Sequence, residues 1–581
     1  MQMKLLANYF QRLENTTSRN EMVAILAEMF KQADPSSIDR IIYLCQGRLA
    51  PHFVPLEFGV SEKLTMKALA EMDGVGEEKV KELYRTTGDL GMVAEQLASG
   101  PPDALTVQEV FDLLYRIATA SGPGSVGEKV SLLQQLLRRA SGIEARYAVR
   151  IVLGRLRLGI GDPTILDALS YAYVGDKSLR PRLERAYNLC SDLGLVAKTL
   201  FNEGLQAIEA FKPSVGHPIR PALAERLPSP EAILAKIGRC SVEPKYDGFR
   251  CQIHKDGLQV KIFSRNLEDT TSMFPDIANA TLRQIRDTRA IFEGEAIGYD
   301  PDTGEFVPFQ VTVQRKRKYG IEEMQEKLPL LLFAFDMMYC DEGDYTPRPL
   351  LERRTRLASM IASQGEGDRI LMSEGIVTDS VDELTRFFED CISRGLEGIV
   401  AKRLESPYHA GARNFNWIKL KRSYQLELSD TVDVVLVGYL HGRGSRARFG
   451  IGSLLAAVYD DEEDKFKTIA KIGSGLSEEQ WVEMKRLLDE IAVPHRPARV
   501  DALIEPDVWV EPRYVVEVQA DEITRSPVHT AGRPAEGGSG YALRFPRVVG
   551  FIRTDKGPEE ATTVKEILEM YAMQGKKALP E

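Results

Sequence analysis

The sequence predicts three successive domains of different class: an all-α domain, an α+β domain and a small β-barrel. Three observations predict them. From Met1 to about Lys212 apolar residues recur at three-to-four spacing, as in Met22-Val23-Ala24-Ile25-Leu26-Ala27-Glu28-Met29-Phe30 and from Leu132 to Leu137. From about Pro228 to Gln425 short β-prone runs alternate with helical stretches. From about Leu426 to Ile552 short β-rich runs dominate, and many short strands in so small a stretch read as a barrel. The domains are expected at 1–212, 213–425 and 426–581.

In the first domain, breaks are expected at Ala33-Asp34-Pro35, Gly74-Val75-Gly76 and Ser121-Gly122-Pro123-Gly124. Gly74-Val75-Gly76 before Glu77-Glu78-Lys79 reads either as a helix-hairpin-helix or as a plain helix start. From Arg138 to Gly161 the chain carries Arg138, Arg139, Arg146, Arg150, Arg155 and Arg157 against one acid, Glu144. That local excess reads as a phosphate-binding face, with Arg146, Arg150, Arg155 and Arg157 as DNA contacts; the bland alternative is a solvated helix. Gly159-Ile160-Gly161 would expose backbone amides beside it. Prolines 213, 218, 221, 228 and 230 mark extended chain between the first and second domains.

In the second domain, strands are expected at Arg250–His254, Val260–Phe263, Ala290–Tyr299, Leu330–Tyr339 and Gly398–Lys402, and helices at Phe274–Arg286 and Val381–Arg394. In the third, strands are expected at Val432–Tyr439, Leu454–Tyr459, Lys465–Ile472 and Tyr514–Ala520, a helix at Glu478–Ile491, and a last helix from Glu559 to Met573.

The 581 residues carry a formal net charge of -10, with 43% hydrophobic and 28% charged residues. This is ordinary globular composition, and it excludes a wholesale basic coat while allowing local phosphate-binding patches. The six cysteines form no Cys-x-x-Cys, which argues against a zinc cluster and suits a reducing compartment. The N-terminus has no signal-peptide pattern, and the longest apolar run, Leu328 to Tyr339, is too short to span a bilayer. A soluble intracellular protein is expected.

The chemistry centres on Glu243-Pro244-Lys245-Tyr246-Asp247-Gly248-Phe249-Arg250. It reads as a strand entering a tight turn, followed by a hairpin around Lys255-Asp256-Gly257. A lysine there can act as a nucleophile if nearby cations and partial burial favour its neutral amine. Downstream, Ser264-Arg265-Asn266 offers a cation and two polar side chains, and Phe335-Asp336 an aromatic face in an apolar strand. Glu293-Gly294-Glu295 places acids inside a strand, on one face unless a bulge at Gly294 re-aims one of them. Leu396-Glu397-Gly398-Ile399-Val400-Ala401-Lys402 again sets an acid beside a glycine with a lysine following. In Trp417-Ile418-Lys419-Leu420-Lys421-Arg422, Lys419 and Lys421 share a strand face and suit a triphosphate. Taken singly, each of these patches also has an ordinary structural reading.

In this order the motifs resemble those of the ATP-dependent DNA ligases of the archaeal and eukaryotic replicative kind. Phe306-Val307-Pro308-Phe309-Gln310, Gln314-Arg315-Lys316-Arg317-Lys318, Leu543-Arg544-Phe545-Pro546-Arg547 and Arg553-Thr554-Asp555-Lys556 extend the likeness to nearly the whole chain. The resemblance implies a helical DNA-binding domain, an ATP-grasp-like nucleotidyltransferase domain and an OB-fold barrel with a C-terminal helix. It implies that Lys245 attacks ATP and holds AMP, that Glu243 meets the adenine edge and that Phe335 stacks on the ring. Arg250 and Arg265 would lie near sugar and phosphates; Arg413, Lys419 and Lys421 would contact phosphates. Glu295 would bind ribose or a metal, and Glu397 would help hold Mg2+ or another divalent cation. Arg553, Asp555 and Lys556 would come to the ATP phosphates from the barrel.

The implied partner is nicked duplex DNA, in replication, repair and recombination, with a monomer acting in the cytoplasm at the nucleoid if the source is prokaryotic. Some relatives carry a sliding-clamp peptide, but Ala98-Ser99-Gly100-Pro101-Pro102-Asp103 has no aromatics and Gln108 to Phe111 is a poor substitute. The rival readings are an RNA ligase or capping-type nucleotidyltransferase and, from another class, a non-catalytic DNA-binding protein. The missing cysteine cluster disfavours an NAD-dependent ligase.

Overall fold

A computed structural model describes residues 1–581 except 73, 102–104, 300–305, 308–311, 313–314, 316–319, 364, 366, 395, 422–430, 443–449 and 575–581. The chain divides into two compact units, Met1–Lys212 and Pro213–Glu581. The expected boundary at 425/426 lies outside the described residues.

The first unit is helical throughout. Several of its helices begin where polar side chains satisfy the free N–H groups: Ser18 accepts from Glu21, and Thr106/Glu109 and Ser141/Glu144 form reciprocal caps. Glu144, the single acid within the arginine-rich segment, is therefore occupied as a cap. Gly74 and Gly76 lie at φ 83° and 80° between the helices Glu62–Ala70 and Glu77–Thr87, a left-handed stretch that side chains avoid. Phe10 and Tyr147 meet edge-on at 5.4 Å in the core where Met3–Glu14 packs on Gly142–Val152.

The arginine cluster differs from expectation. Arg146 donates to Glu14 at 3.0 Å and to Glu95 at 3.5 Å. Arg150, with its side chain 8% exposed, donates to Glu14 and, at 2.6 Å, to Asp89. Arg155 pairs with Glu62 at 2.5 Å, and Arg157 adds its charge beside Asp89. The compensating acids exist; they lie on other helices, 132 and 61 residues away for two of these bonds. Arg146 and Arg150 are thus interior ties between helices, and their assignment as DNA contacts is withdrawn. Arg150→Ala should leave Glu14 and Asp89 short of a buried partner and destabilise the helical unit by about 3 kcal/mol. In the full chain, far-UV circular dichroism should show the helical melting transition lowered by about 6–12 °C.

The second unit opens with two sheets. The first has the order β1-β11-β10-β2-β9, from β1 (Leu223–Arg226), β2 (Cys240–Lys245), β9 (Ile376–Thr378), β10 (Gly398–Arg403) and β11 (Arg413–Lys421). The second runs β4-β3-β5-β6, from β3 (Phe249–Asp256), β4 (Gln259–Ser264), β5 (Arg289–Gly298) and β6 (Leu330–Cys340). Two short strands, β7 (Gly343–Asp344) and β8 (Ile370–Met372), both add to β6. Helices Pro275–Gln284 and Leu350–Met360 cover one sheet, and Val381–Ser393 covers the other.

Beside Lys245 and Glu397, Gly248 and Gly398 are required by close approach. A Cβ on Gly248 would stand 2.3 Å from the Ala296 carbonyl oxygen, so only glycine lets the turn after Lys245 lie on β5. Gly398, at φ 152°, would bring a Cβ within 2.1 Å of the Leu420 carbonyl oxygen.

The rest of the unit is a curved sheet built on β12 (Thr431–Leu440), β13 (Ser453–Asp460) and β14 (Lys465–Ile472), with Val515–Gln519 pairing β12 and Arg547–Ile552 beyond it. Strand β12 is buried on both faces: Val432, Val434 and Leu436 join one core, Val435 and Val437 another. Glu478–Glu490 is the expected helix. The last helix starts later than expected, at Val564 rather than Glu559, because Thr563 and Glu566 cap it reciprocally and Pro558–Glu560 forms only a 3-10 turn. Among the described residues no helix is long and apolar enough to cross a membrane.

Candidate active site

The site forms between the two sheets, and strand register explains it. Gly398 of β10 is paired with Lys245 at the end of β2 on one side and with Lys421 at the end of β11 on the other. The residue before it, Glu397, donates its N–H to the Lys245 carbonyl at 3.1 Å. One carboxylate therefore lies between two lysines: Lys245 and Lys421 both contact Glu397. The two ammonium groups hold the Glu397 carboxyl well below the usual range, outweighing its burial.

On the same face of this sheet, Glu243 is 2% exposed and receives a hydrogen bond from Lys402 at 3.0 Å. Its other oxygen, Oε1, lies 2.8 Å from the Arg354 guanidinium, but no N–H is aligned on it, and it is buried without a hydrogen bond. Burial pushes Lys402 down, and Glu243 and Asp336 oppose that.

From the opposite sheet come Arg250 and Glu295, paired in register, and Glu293 opposite Gln252. Strand β5 is regular against β3, so Glu293 and Glu295 share a face. The irregularity falls on β6: Glu293 pairs with Asp336 and Gly294 with Ala334, leaving Phe335 as the extra residue. The Phe335 ring has Lys402 at 4.6 Å, Arg250 at 5.5 Å and the edge of Trp417 at 6.0 Å. Glu293 accepts from Arg250 at 2.8 Å and from Tyr408 at 2.7 Å. Burial pushes the Glu295 carboxyl up to about 7 despite the Lys245 and Arg250 charges.

The barrel side closes on the same region. Arg265 donates to Glu560 at 3.1 Å, and Asn266 donates to the Thr554 carbonyl at 3.3 Å. Glu566 of the last helix contacts Arg413 and lies in the field of Lys419 and Arg226, which hold its carboxyl at about 2 against the burial that raises it. Burial drives Lys419 well below the ordinary lysine range. Arg553 donates to Asp555 at 2.7 Å and, with Lys556, reaches Asp433 of β12.

Sequence comparison decides what this arrangement belongs to. Residues 2–170 match a family described as "DNA ligase N terminus", residues 221–421 "ATP dependent DNA ligase domain" and residues 447–556 "ATP dependent DNA ligase C terminal region". A protein of Dictyoglomus thermophilum named "Probable DNA ligase" is 57% identical over 576 residues, covering 99% of this chain and 98% of that one. The "DNA ligase" of Sulfurisphaera tokodaii is 46% identical over 595 residues, with the same coverage. The chain belongs to the ATP-dependent DNA ligase family.

For this ligase the three parts are the helical N-terminal domain, the nucleotidyltransferase domain and the OB-fold C-terminal domain. The structure brings Lys245, Glu243, Arg250, Glu295, Glu397, Phe335 and Lys421 into one neighbourhood. Lys419 and Arg413 stand beside it with Glu566.

Several contributors carried no clear sequence signal. Arg354 looks like any arginine on an amphipathic helix, and Tyr408 follows no motif. Lys402 was legible only as the lysine three places after Ile399, on the face of Gly398 and Val400. Of Gln314 to Lys318, only Arg315 is described, and it is a buried partner of Asp276 at 2.8 Å. Pro308 to Gln310 and the Pro102-Asp103 end of the clamp-peptide stretch lie outside the described residues. Gln108 to Phe111 is helical, with Phe111 buried.

Proposed function

We propose that this ligase seals nicks in duplex DNA in three steps, with Lys245 as the nucleophile that carries AMP. The amine of Lys245 attacks the α-phosphorus of ATP, a P–N bond forms and pyrophosphate leaves. AMP then passes to the 5′-phosphate at the nick, and the 3′-hydroxyl displaces it, closing the backbone. The observation that carries this reading is the strand-end triplet Lys245, Glu397, Lys421, in which register fixes a nucleophile beside an acid and a second cation. Phosphoryl transfer asks for this kind of positioning and charge neutralisation.

The residues present fit a nucleotide. The buried, unbonded Glu243 Oε1 is an acceptor suited to the amino group of adenine. Phe335 supplies a ring face, Arg250 and Arg265 stand toward sugar and phosphates, and Arg413, Lys419 and Lys421 toward phosphates. Glu566 now occupies Arg413 and lies beside Lys419, so the triphosphate has to compete with it.

The residues also fit a hard divalent cation. Among the described residues no three His, Cys, Asp or Glu side chains converge on a metal site, but Mg2+ keeps waters and phosphate oxygens and needs only one or two carboxylates. Glu295 and Glu397 would hold Mg2+ or a similar ion, which when bound neutralises phosphate charge. An ammonium paired with a carboxylate has no lone pair to offer, so Lys245 has to give up a proton before its amine attacks.

For the helical domain, Arg155 and Arg157 remain the proposed DNA contacts. Mixing the protein with labelled ATP or labelled NAD, then with nicked DNA, nicked RNA or capped-end RNA, tests the reading. Label from ATP alone, chased into sealed DNA, is expected. Label chased only into RNA would favour the RNA-ligase or capping reading, and no label would favour a non-catalytic protein.

A further inference from the structure

One carboxylate ties the Arg553–Lys556 turn to the barrel. Lys556 donates to Asp433 Oδ2, and Arg553 Nη1 donates to Asp433 Oδ1 at 3.4 Å. Asp433 is itself fixed through its backbone. Its N–H donates to the Thr562 hydroxyl at 3.0 Å, and its carbonyl accepts from the Thr562 N–H at 2.9 Å. The turn lies against Ser264–Asn266 through the Asn266–Thr554 bond.

We propose that Asp433 is a positioning residue for the first step: it sets Lys556 and Arg553 as one rigid pair facing the departing pyrophosphate. The proposal rests on the reading of the turn as an ATP-phosphate motif. A purely mechanical tie does not need this charge. Arg553 already has a two-point partner in Asp555, at 2.8 and 2.7 Å, so the second carboxylate serves mainly Lys556.

Of the two cations of the turn, Lys556 is the one whose charge is harder to keep. Burial pushes it down, and Arg265 from the turn after β4 and Arg553 from its own turn push the same way. Asp433 from β12 opposes them. Asp555 of the same turn is committed to Arg553, and Lys421 adds its charge on the Asp433 side. Removing the Asp433 charge leaves Lys556 among cations, so its proton comes off at lower pH. A neutral amine cannot meet pyrophosphate as a counter-charge.

The test is adduct formation from ATP by the full-length protein across pH, beside sealing of DNA already adenylated at the nick. Asp433→Asn should form adduct about 10–100-fold more slowly than the parent at about pH 8.5. The deficit should shrink as pH falls toward about 6.5, because protonation restores the charge. Asp433→Glu should recover most of the rate. Adding Lys556→Arg to Asp433→Asn should abolish the pH dependence of the deficit, since guanidinium stays charged. Sealing of pre-adenylated DNA should change by less than about threefold, because pyrophosphate has already left.

A deficit that is the same at every pH, or equal in both steps, would make Asp433 a structural anchor and overturn the proposal. So would an unimpaired Asp433→Asn. The paired variant Arg553→Ala with Lys556→Ala separates the two ideas: if it too forms adduct normally, the reading of the turn has failed; if it is slow while Asp433→Asn is not, only this inference has failed.

Discussion

Lys245→Arg protein incubated with labelled ATP should carry no label. The variant keeps the charge and roughly the length of the side chain, and a guanidinium can still pair with Glu397. It cannot supply a lone pair, because it stays protonated and its nitrogens are delocalised. The loss should therefore reach the background of the assay, which corresponds to about 5.5 kcal/mol or more for a drop of about 10⁴-fold. Fold and DNA grip should survive, because Lys245 ends its strand with its side chain partly exposed and only its backbone enters the sheet. The same preparation should seal pre-adenylated nicks far better than it charges itself. An acid-labile adduct at undiminished yield would place the nucleophile elsewhere.

Arg553→Ala with Lys556→Ala should slow adduct formation by about 10²–10⁴-fold while sealing of pre-adenylated DNA falls by less than about tenfold. The reason is the leaving group. Pyrophosphate departs opposite the lysine amine, and the charge growing on it needs cations at that end. Lys419 and Lys421 stand on the nucleotidyltransferase side, so a second set has to arrive with the barrel. In this structure the Arg553–Lys556 turn lies against Ser264–Asn266, a placement that suits the proposed step. On the proposed mechanism DNA reaches the same AMP later, which would require the barrel to swing away. A hinge is expected from the sequence at Ser423 to Thr431, where the strand carrying Lys421 ends and polar residues begin; of these, only Thr431, the first residue of β12, is among the described residues. Measuring both steps on one preparation decides the matter. Equal loss in both would assign the turn to structure or DNA grip and remove the moving-barrel mechanism.

The sequence by itself determined the order of classes along the chain, because hydrophobic period is a local property. Helical spacing before Lys212 and strand alternation after Pro228 needed no tertiary information. Lys465–Ile472 falls where the pattern put it, and Val381–Arg394 and Glu478–Ile491 end within one residue of it. The chemistry around Lys245 was legible for a similar reason: motif residues lie close together in the chain, and Gly248 and Gly398 mark close approaches that only glycine permits.

Tertiary structure alone decided which charges face one another. Arg146 and Arg150 looked uncompensated because their acids, Glu14 and Asp89, come from distant helices. The capped start of the last helix put Glu566 onto Arg413, and β12 put Asp433 under Lys556, 123 residues on. Coulomb energy depends on separation in space and on burial, and neither is written in the spacing of residues along a chain.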